Sequence, residues 1–384
     1  MSSELFDAIL GTTSVVAATD DAAIVDALCT AETALARACA AVGVIPLPVA
    51  LEIGAVCDAV RRLDSGELAR RSVPGGNPVI PLVAEIRTRV EVRAGADAAR
   101  AVHLGATSQD IVDTALMLVA KQALGVIRAS LAEAADTCAR LAHTHRDTAM
   151  TGRTLMQWAV PTTFGAIAAG WGHALDHTAA RLDELRDRLP AQLGGAAGTL
   201  APLHPHGPAV LAAFADECDL AVPDGVWHTD RTVIADLAGA LGAASAAVAK
   251  VATDLVLLAQ SDVGEVRERA PGGSSAMPHK QNSIAAVTAR AAAMQTPGLV
   301  ATLLSAVPEL QRGAGPWHAE WPALLALLRY TGGAAARLRT AVDIDVDAAA
   351  MARNLANLAD TLDTSDFGHA GDLVDRYLAD RRQT

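Results

Sequence analysis

The chain has 384 residues, of which 51% are hydrophobic and only 3% aromatic, and its formal net charge is −12. This length exceeds one ordinary domain, and a core built mainly from alanine, valine and leucine allows helices to approach closely. The negative charge argues against nucleic-acid binding, because a phosphate backbone requires a basic surface. An anionic small substrate remains compatible, since a site can be locally positive inside an acidic protein.

The first hundred residues contain short helical patterns that prolines interrupt, and the stretch VPGGNPVIPL (73–82) predicts an ordered loop that closes this unit. The N-terminus, MSSELFDAILGTT, lacks the basic region and the long apolar stretch of a signal peptide. No run of about 18 uncharged apolar residues is evident, so we expect no membrane span. A cytoplasmic protein is therefore predicted.

The five cysteines are odd in number and lack the close pairing of zinc sites. They lie in apolar or helical contexts, which predicts reduced core residues rather than a redox or metal role. The residues concerned are Cys29, Cys39, Cys57, Cys138 and Cys218.

Three long helical patterns follow the N-terminal unit. The first runs from about Asp110 to His145, the second follows Pro161 and ends near Leu189, and the third covers Thr229 to Arg269, where no proline occurs. About 40 residues would make the third helix roughly 60 Å long. Apolar seams of this length predict nearly parallel packing in an elongated bundle.

The predicted fold class is therefore all-α, with few strand signals. We expect three domains: a helical N-terminal domain (1–100), a central long-helix bundle (101–335) and a short C-terminal helical remnant (336–384). The C-terminal unit is charged and carries segments such as MARNLANL and FGHAGDLVDRYL.

Polar clusters lie at the interruptions between the long helices. HLGATSQD (103–110) offers Thr107 and Ser108 near a helix start, where N–H groups and the helix dipole favour a carboxylate, although a plain N-cap explains the same residues. GRTLMQWAVPTTFG (152–165) carries Arg153 and Gln157, and Arg153 fits a site or a surface ion pair equally. PGGSSAMPHKQNS (271–283) combines flexibility with hydroxyl groups and a cation.

Four further motifs have simpler interpretations. GGAAGTLA (194–201) lacks the spacing and the preceding strand of a dinucleotide fold, so close packing is preferred and a nicotinamide cofactor is rejected. HPH (204–206) lacks a third ligand, so a loop is preferred over a metal site. WHAEW (317–321) is typical of aromatic packing. WHTDR (227–231) puts Arg231 in the first turn of the third long helix, an unfavourable place for a cation unless it binds a carboxylate.

GGSSAMPHKQN (272–282) resembles the GSSxMPxKxN motif of the fumarase/aspartase superfamily, which includes fumarase, aspartase, argininosuccinate lyase and adenylosuccinate lyase. HLGATSQDIVDTAL and GRTLMQWAVPTTFG resemble the first and second site regions of that superfamily, in the expected order. The resemblance covers nearly the whole chain from about Phe6 and is greatest to the 3-carboxy-cis,cis-muconate cycloisomerase branch, which serves aromatic catabolism. The segments that indicate this branch are AETALARACAAVGVIP, GNPVIPLV, GGAAGTLA, WHTDR and GLVATLLSAVPELQRGAGPWHAEW.

The resemblance implies a homotetramer in which motif regions from three subunits build each active site. It also implies cofactor-free chemistry on a small polycarboxylate, in which a proton moves at the carbon alpha to a carboxylate. Ser274 matches the serine assigned as base, and His103 matches a histidine that acts as acid, base or substrate ligand. The implied substrate-binding residues are Thr107, Ser108, Gln157, Arg231, Ser275, Lys280 and Asn282.

Four positions depart from the family pattern. Leu155 stands where many of these lyases carry a histidine, and the cycloisomerase branch also lacks that histidine. Gln281 and Ser283 stand where arginine and proline are usual, and Leu310 replaces a histidine before Gln311 and Arg312. The expected reaction is carboxymuconate lactonization. The alternatives are another lyase on this scaffold that releases fumarate from a succinyl adduct, a catalytically silent carboxylate-binding bundle, and metal-dependent hydrolysis, for which the sequence offers no ligand set.

Overall fold

The computed structural model describes residues 4–360 and 363–382, and the fold is 66% helical. The helices, in chain order, are α1 Glu4–Leu10, α2 Thr13–Ala17, α3 Asp21–Ala41, α4 Leu47–Val60, α5 Ser65–Ser72, α6 Val79–Ala94, α7 Ala96–Arg100, α8 Ser108–Thr144, α9 Phe164–Arg186, α10 Gly207–Glu217, α11 Thr232–Leu258, α12 Ile284–Met294, α13 Thr296–Ser305, α14 Pro316–Ala341, α15 Ala348–Ala356 and α16 Ala370–Arg381. The all-α prediction is confirmed.

Within the described part of the chain, two small antiparallel sheets interrupt the helices. β1 (Ala149–Thr154) pairs with β2 (Gln157–Thr163) in a hairpin, and β3 (Val266–Glu268) pairs with β4 (Ile344–Val346). The hairpin contains most of the segment GRTLMQWAVPTTFG, whose last two residues begin α9, and no strands were predicted there from the sequence. The available signal was a spacing of two residues, seen for Thr151 and Arg153 in one short run and for Trp158 and Val160 in the other. The apolar helical patterns around these runs obscured it.

The bundle consists of α8, α9, α11 and α14, with α12 packed against α11 and α14. Its core contains many small residues, so that Ala120, Ala123 and Ala244 have no exposed surface. The large rings of Phe164 and Trp171 are also fully enclosed and meet edge to face, with centroids 5.7 Å apart. Alanine-lined helices approach closely and therefore pack over their whole length.

Two of the three predicted long helices are confirmed in extent, as α8 and α9. The prediction of the third long helix is wrong at the C-terminal end, because α11 ends at Leu258 and does not continue to Arg269. The chain turns over residues 260–264, where Gly264 has φ +62°, and the N–H of Glu265 then bonds to the carbonyl of Leu258. The absence of proline was therefore not sufficient to indicate a continuous helix.

The N-terminal helices pack beside the bundle, mainly through α3 against α8, and α4 and α6 complete this unit. All five cysteines are buried and unpaired, as predicted, and burial raises the pKa of Cys39 to about 11. A thiol that is shielded in this way stays protonated and unreactive. The division into three domains stays a prediction.

Among the described residues, two helices, α8 and α11, are long and apolar enough to cross a membrane by length and composition. No such segment is predicted from the sequence. Within this chain, α8 packs against α3, α9 and α14, and α11 packs against α9, α12, α13 and α14. We therefore interpret both as core helices of the bundle.

Candidate active site

The first motif region is held in place by the buried carboxylate of Asp110, in the first turn of α8. Its oxygens accept hydrogen bonds from the backbone N–H groups of Thr107 at 2.8 Å and of Gly194 and Gly195 at 2.9 Å. His228 Nε2 lies 2.6 Å from Asp110 Oδ1. One carboxylate thus joins the start of α8 to two distant loops, and the position of Thr107 and Ser108 depends on it.

The segment GGAAGTLA therefore serves close packing, as preferred from the sequence. A Cβ on Gly195, which has φ +72°, would lie 2.8 Å from the carbonyl oxygen of Gly105. This approach brings two loops of the first region into direct contact.

A buried ionic cluster lies one turn further along α8 and consists of Asp113, Arg231 and Glu320. Arg231 donates to both oxygens of Asp113, at 2.8 and 3.1 Å, and to both oxygens of Glu320, at 3.0 and 2.5 Å. Trp317 Nε1 donates to Asp113 at 2.9 Å. Burial works to lower the pKa of Arg231, but the charges of Asp113 and Glu320 outweigh it and raise that pKa.

Arg231, which the resemblance implies as a substrate-binding residue, directs its donors to protein partners in this structure. The side chain is 6% exposed, and its fifth N–H points to the carbonyl of Trp227 at 3.4 Å, so all five guanidinium donors are engaged. No donor is left for a substrate carboxylate. The sequence indicated that Arg231, at the N-cap of α11, binds a carboxylate. The carboxylates that it binds in this structure are those of Asp113 and Glu320 in the same chain.

The segment WHAEW packs as predicted, since Trp317 and Trp321 meet edge to face at 4.7 Å. It also supplies Glu320, whose role the sequence analysis missed. A glutamate between two tryptophans at the start of a helix is a burial signal that could have indicated an ion-paired carboxylate.

Arg312 is a second residue that the sequence analysis did not select. Its Nη1 donates to Thr107 Oγ1 at 3.0 Å, and its Nη2 donates to the carbonyls of Gly195 and Ala196 at 3.2 and 3.0 Å. The loop that carries it also exposes Leu310, at 87% of its surface and with φ +50°. Arg312 thus adds a cation directly to the hydroxyl group of the first region.

His103 lies at the edge of the same region and is half-buried, with its Nδ1 2.6 Å from Oε1 of the buried Glu32 on α3. The charge and hydrogen bond of Glu32 raise the pKa of His103, although burial alone would lower it. The first region therefore combines His103, Thr107, Ser108 and Arg312.

The second motif region forms the β1–β2 hairpin, and its tip is exposed. Leu155 and Met156 turn the chain with φ of 50° and 66°, and Leu155 is 97% exposed. Gln157 begins β2 next to this tip and is also exposed. Within one chain, Gln157 therefore faces solvent rather than a pocket.

Arg153 makes a bidentate ion pair with Glu265, at 2.9 and 2.8 Å, and Glu265 has no exposed surface. Of the two alternatives for Arg153, the structure shows an ion pair, although with a buried partner rather than a surface one. Asn354 Nδ2 donates to the same carboxylate at 2.7 Å. This pair ties the hairpin to the segment just before β3 and therefore to the base of the third region.

The third motif region is a loop that closes on itself at its base. Gly272 and Asn282 exchange two backbone hydrogen bonds of 2.8 Å, and Glu268 accepts from the N–H groups of Ala285 and Ala286 at the start of α12. The residues between them are largely exposed, among them Ser275, Lys280 and Gln281. Asn282 Nδ2 donates to the carbonyl of Gly273 at 3.1 Å. In this chain the side chain of Asn282 supports the loop.

Ser274 Oγ accepts hydrogen bonds from the N–H groups of Met277 at 3.2 Å and Ala276 at 3.4 Å. Donors aimed at this oxygen would stabilise it as an alkoxide. The local fold thus supplies part of the activation that a serine needs to act on a proton, and Lys280 adds a positive charge in the same exposed loop.

The three regions do not meet within one chain. The first region lies at the N-terminal end of α8, whereas the hairpin follows the C-terminal end of this 37-residue helix, roughly 55 Å away. The ion pair between Arg153 and Glu265 places the base of the third region at the hairpin end. The sequence-predicted residues therefore form two groups at opposite ends of the bundle.

The segment HPH forms a loop between the short turn Ala201–Leu203 and α10. Over residues 4–360 and 363–382, no group of three or more histidine, cysteine or acidic residues has metal-binding geometry. The loop interpretation is thus compatible with the structure.

Comparison with known proteins agrees with this fold and these regions. A family model described as lyase matches residues 7–298. The chain is 44% identical to 3-carboxy-cis,cis-muconate cycloisomerase of Bradyrhizobium diazoefficiens over 359 residues, which are 92% of this chain and 79% of the relative. It is also 44% identical to nitrosuccinate lyase of Streptomyces davaonensis, over 90% of this chain and 76% of the relative.

The crystal structure of 3-carboxy-cis,cis-muconate lactonizing enzyme from Pseudomonas putida superposes with a TM-score of 0.91 at 33% identity and covers 99% of both chains. The chain belongs to this lyase family, the fumarase/aspartase superfamily that the three motifs predicted.

Proposed function

We propose that this protein is a cofactor-free cycloisomerase that converts 3-carboxy-cis,cis-muconate to carboxymuconolactone, a step of aromatic catabolism in the cytoplasm. The similarity to the cycloisomerase of Bradyrhizobium diazoefficiens and to the lactonizing enzyme of Pseudomonas putida supports this substrate. The observation that carries the proposal is the Ser274 loop, in which two backbone N–H groups face the serine oxygen.

In the proposed reaction, a carboxylate oxygen of the substrate adds to a carbon of the conjugated diene and forms the lactone C–O bond. The electron pair moves to the carbon alpha to a second carboxylate, which becomes an aci-carboxylate dianion. Ser274 then delivers one proton to that carbon and is reprotonated from solvent, so the substrate gains one proton. The N–H groups of Ala276 and Met277 stabilise the alkoxide that Ser274 transiently becomes.

The binding residues have electrostatic roles in this proposal. Lys280 and Asn282 hold the carboxylate that gains charge, as the resemblance implies, and Asn282 then exchanges its bond to Gly273 for one to substrate. Thr107, Ser108 and Arg312 contribute hydroxyl and guanidinium donors from the first region, and Gln157 contributes an amide from the hairpin. Such donors are most effective when they face the charge that develops in the transition state.

We further propose that the protein acts as a homotetramer with sites shared between three subunits. The separation of roughly 55 Å between the first region and the hairpin supports this, because one chain cannot close the distance. Exposed apolar side chains at both ends also require cover from another copy. They include Leu155, Trp158, Val160, Ile284, Met294, Leu304, Val307 and Leu310.

A second candidate function is elimination from a substituted succinate to give fumarate. The equal identity to a protein called nitrosuccinate lyase favours it, as do the departures at Gln281, Ser283 and Leu310. Gln281 is exposed on the same loop as Ser274, so the loss of a cation at that position weakens the binding of a third carboxylate. Both reactions use the same proton transfer alpha to a carboxylate and differ in the group that adds or leaves.

A substrate panel followed by ultraviolet absorbance separates the two functions. We expect 3-carboxy-cis,cis-muconate to lose its conjugated-diene band, because lactonization removes one double bond. Nitrosuccinate and succinyl adducts of amines or thiols should give no fumarate band. Release of fumarate from any of these compounds, with the diene unchanged, would replace the cycloisomerase proposal by the elimination proposal.

A further inference from the structure

Glu32 and His103 form a close pair between α3 and the first motif region. Glu32 Oε1 lies 2.6 Å from His103 Nδ1, and the glutamate side chain has no exposed surface, whereas 13% of the histidine side chain is exposed. Among the described residues, Glu32 Oε2 has no hydrogen-bond partner. A buried carboxylate is costly, and here the imidazole ring provides the compensating interaction.

The backbone at His103 indicates that this pair is more than a core contact. His103 adopts φ +61°, a conformation that is unfavourable for residues other than glycine. Residues held in such conformations concentrate at functional sites, where the surrounding structure compensates the cost. The next residues along the chain are those that carry Thr107 and Ser108 at the start of α8.

We propose that Glu32 is a positioning residue that holds the Nδ1–H of His103 and so presents the opposite Nε2–H, on a cationic ring, to a carboxylate of the substrate. This inference rests on the proposed function and adds a residue to it, because Glu32 lies in the N-terminal helical unit. Both nitrogens of the cationic ring carry protons, so a carboxylate that binds Nδ1–H fixes the ring orientation and favours the charged form. Without Glu32, the ring could rotate and would lose its second proton at lower pH.

Three charged groups from three helices act on His103. Glu32 on α3 and Asp110 on α8 favour the cation, while Arg87 on α6 opposes it, and the pKa of His103 is raised overall despite burial. A raised pKa keeps the ring charged to higher pH. Binding that depends on the charged ring is therefore complete below the pKa and is lost as pH rises through it.

Glu32→Gln tests this role through the pH dependence of kcat/KM for 3-carboxy-cis,cis-muconate. The amide keeps the shape of the side chain but removes the charge, so the alkaline limb should move to lower pH. At pH values above the shifted limb, kcat/KM should be lower than in the unchanged protein, since a smaller fraction of the rings is protonated there. The loss should appear mainly in KM, because the charged ring binds the substrate. An unmoved limb would overturn the proposal.

A double-mutant cycle with His103→Asn separates positioning from folding. If Glu32 acts only through His103, the double variant should be no less active than His103→Asn alone. Additive losses would show that Glu32 supports the fold instead. Thr33→Val is the matched control, since it changes the next residue of α3 and should leave the pH profile unchanged.

The protonation of His103 can be read without any substrate. In protein with 13C-labelled histidine and a deuterated background, the His103 resonance should titrate at lower pH in Glu32→Gln than in the unchanged protein. This shift would persist even if carboxymuconate proved not to be the substrate, so failure of the proposed function and failure of the positioning role are distinguishable. Identical titration curves in the two proteins would refute the positioning role.

Discussion

Ser274→Ala should lower kcat by about 10²–10⁴-fold, the usual contribution of a group that transfers a proton in the transition state. The variant keeps the loop backbone, and the two N–H groups that face Ser274 Oγ then point to solvent in this exposed segment. KM should change little, because the substrate carboxylates are held by other residues. Steady-state kinetics together with circular dichroism and sedimentation would measure the effect.

Ser305→Ala provides the control for this substitution. Ser305 lies at the exposed end of α13, and its hydroxyl group donates to the carbonyl of Ala301 in its own helix. It should retain full activity. If Ser274→Ala were equally active, Ser274 would not be the group that transfers the proton.

Arg231→Leu should destabilise the protein by about 3–5 kcal/mol, because it leaves the carboxylates of Asp113 and Glu320 buried without a cation. Its effect should be on folding, and protein that folds should retain a normal KM. The midpoint of thermal unfolding, followed by circular dichroism at fixed protein concentration, would record this loss.

Arg267→Leu is the matched control, since Arg267 pairs with Asp345 in an exposed position. Exposed pairs of this kind contribute about 0–1 kcal/mol, so the unfolding midpoint should hardly move. A stable Arg231→Leu variant with a large rise in KM would restore Arg231 to the substrate-binding role that its sequence position first indicated.

The long helices and the three motif regions were predictable because periodic apolar residues and short exact motifs are local signals. The hairpin was not, since Leu155 and Met156 turn the chain with positive φ that their residue types do not announce. The end of α11 was missed for a similar reason: the helix ends at Leu258 and a turn that contains Gly264 follows, without a proline. Local patterns thus located the site regions but not their backbone shapes.

The candidate site was predictable in part. The sequence indicated which loops carry hydrogen-bond donors, but not which of those donors are already paired with acceptors of the protein itself. Arg231 looked available because its partners, Asp113 and Glu320, lie 118 and 89 residues away. Glu32 and Arg312 were not selected because they are distant from the first region in the sequence. Each contacts that region only in the folded chain.

The central claim is that one active site needs regions from different chains, and mixing inactive variants tests it most directly. His103→Asn and Ser274→Ala change opposite ends of the bundle and should each be nearly inactive. When they are coexpressed, about a quarter of the sites should receive both native residues, since each residue comes with a probability of one half from a chain that is native at that position. Carboxymuconate turnover well above that of either parent is the predicted result. Turnover no higher than the parents would show that both residues of a site come from one chain, which would contradict the account.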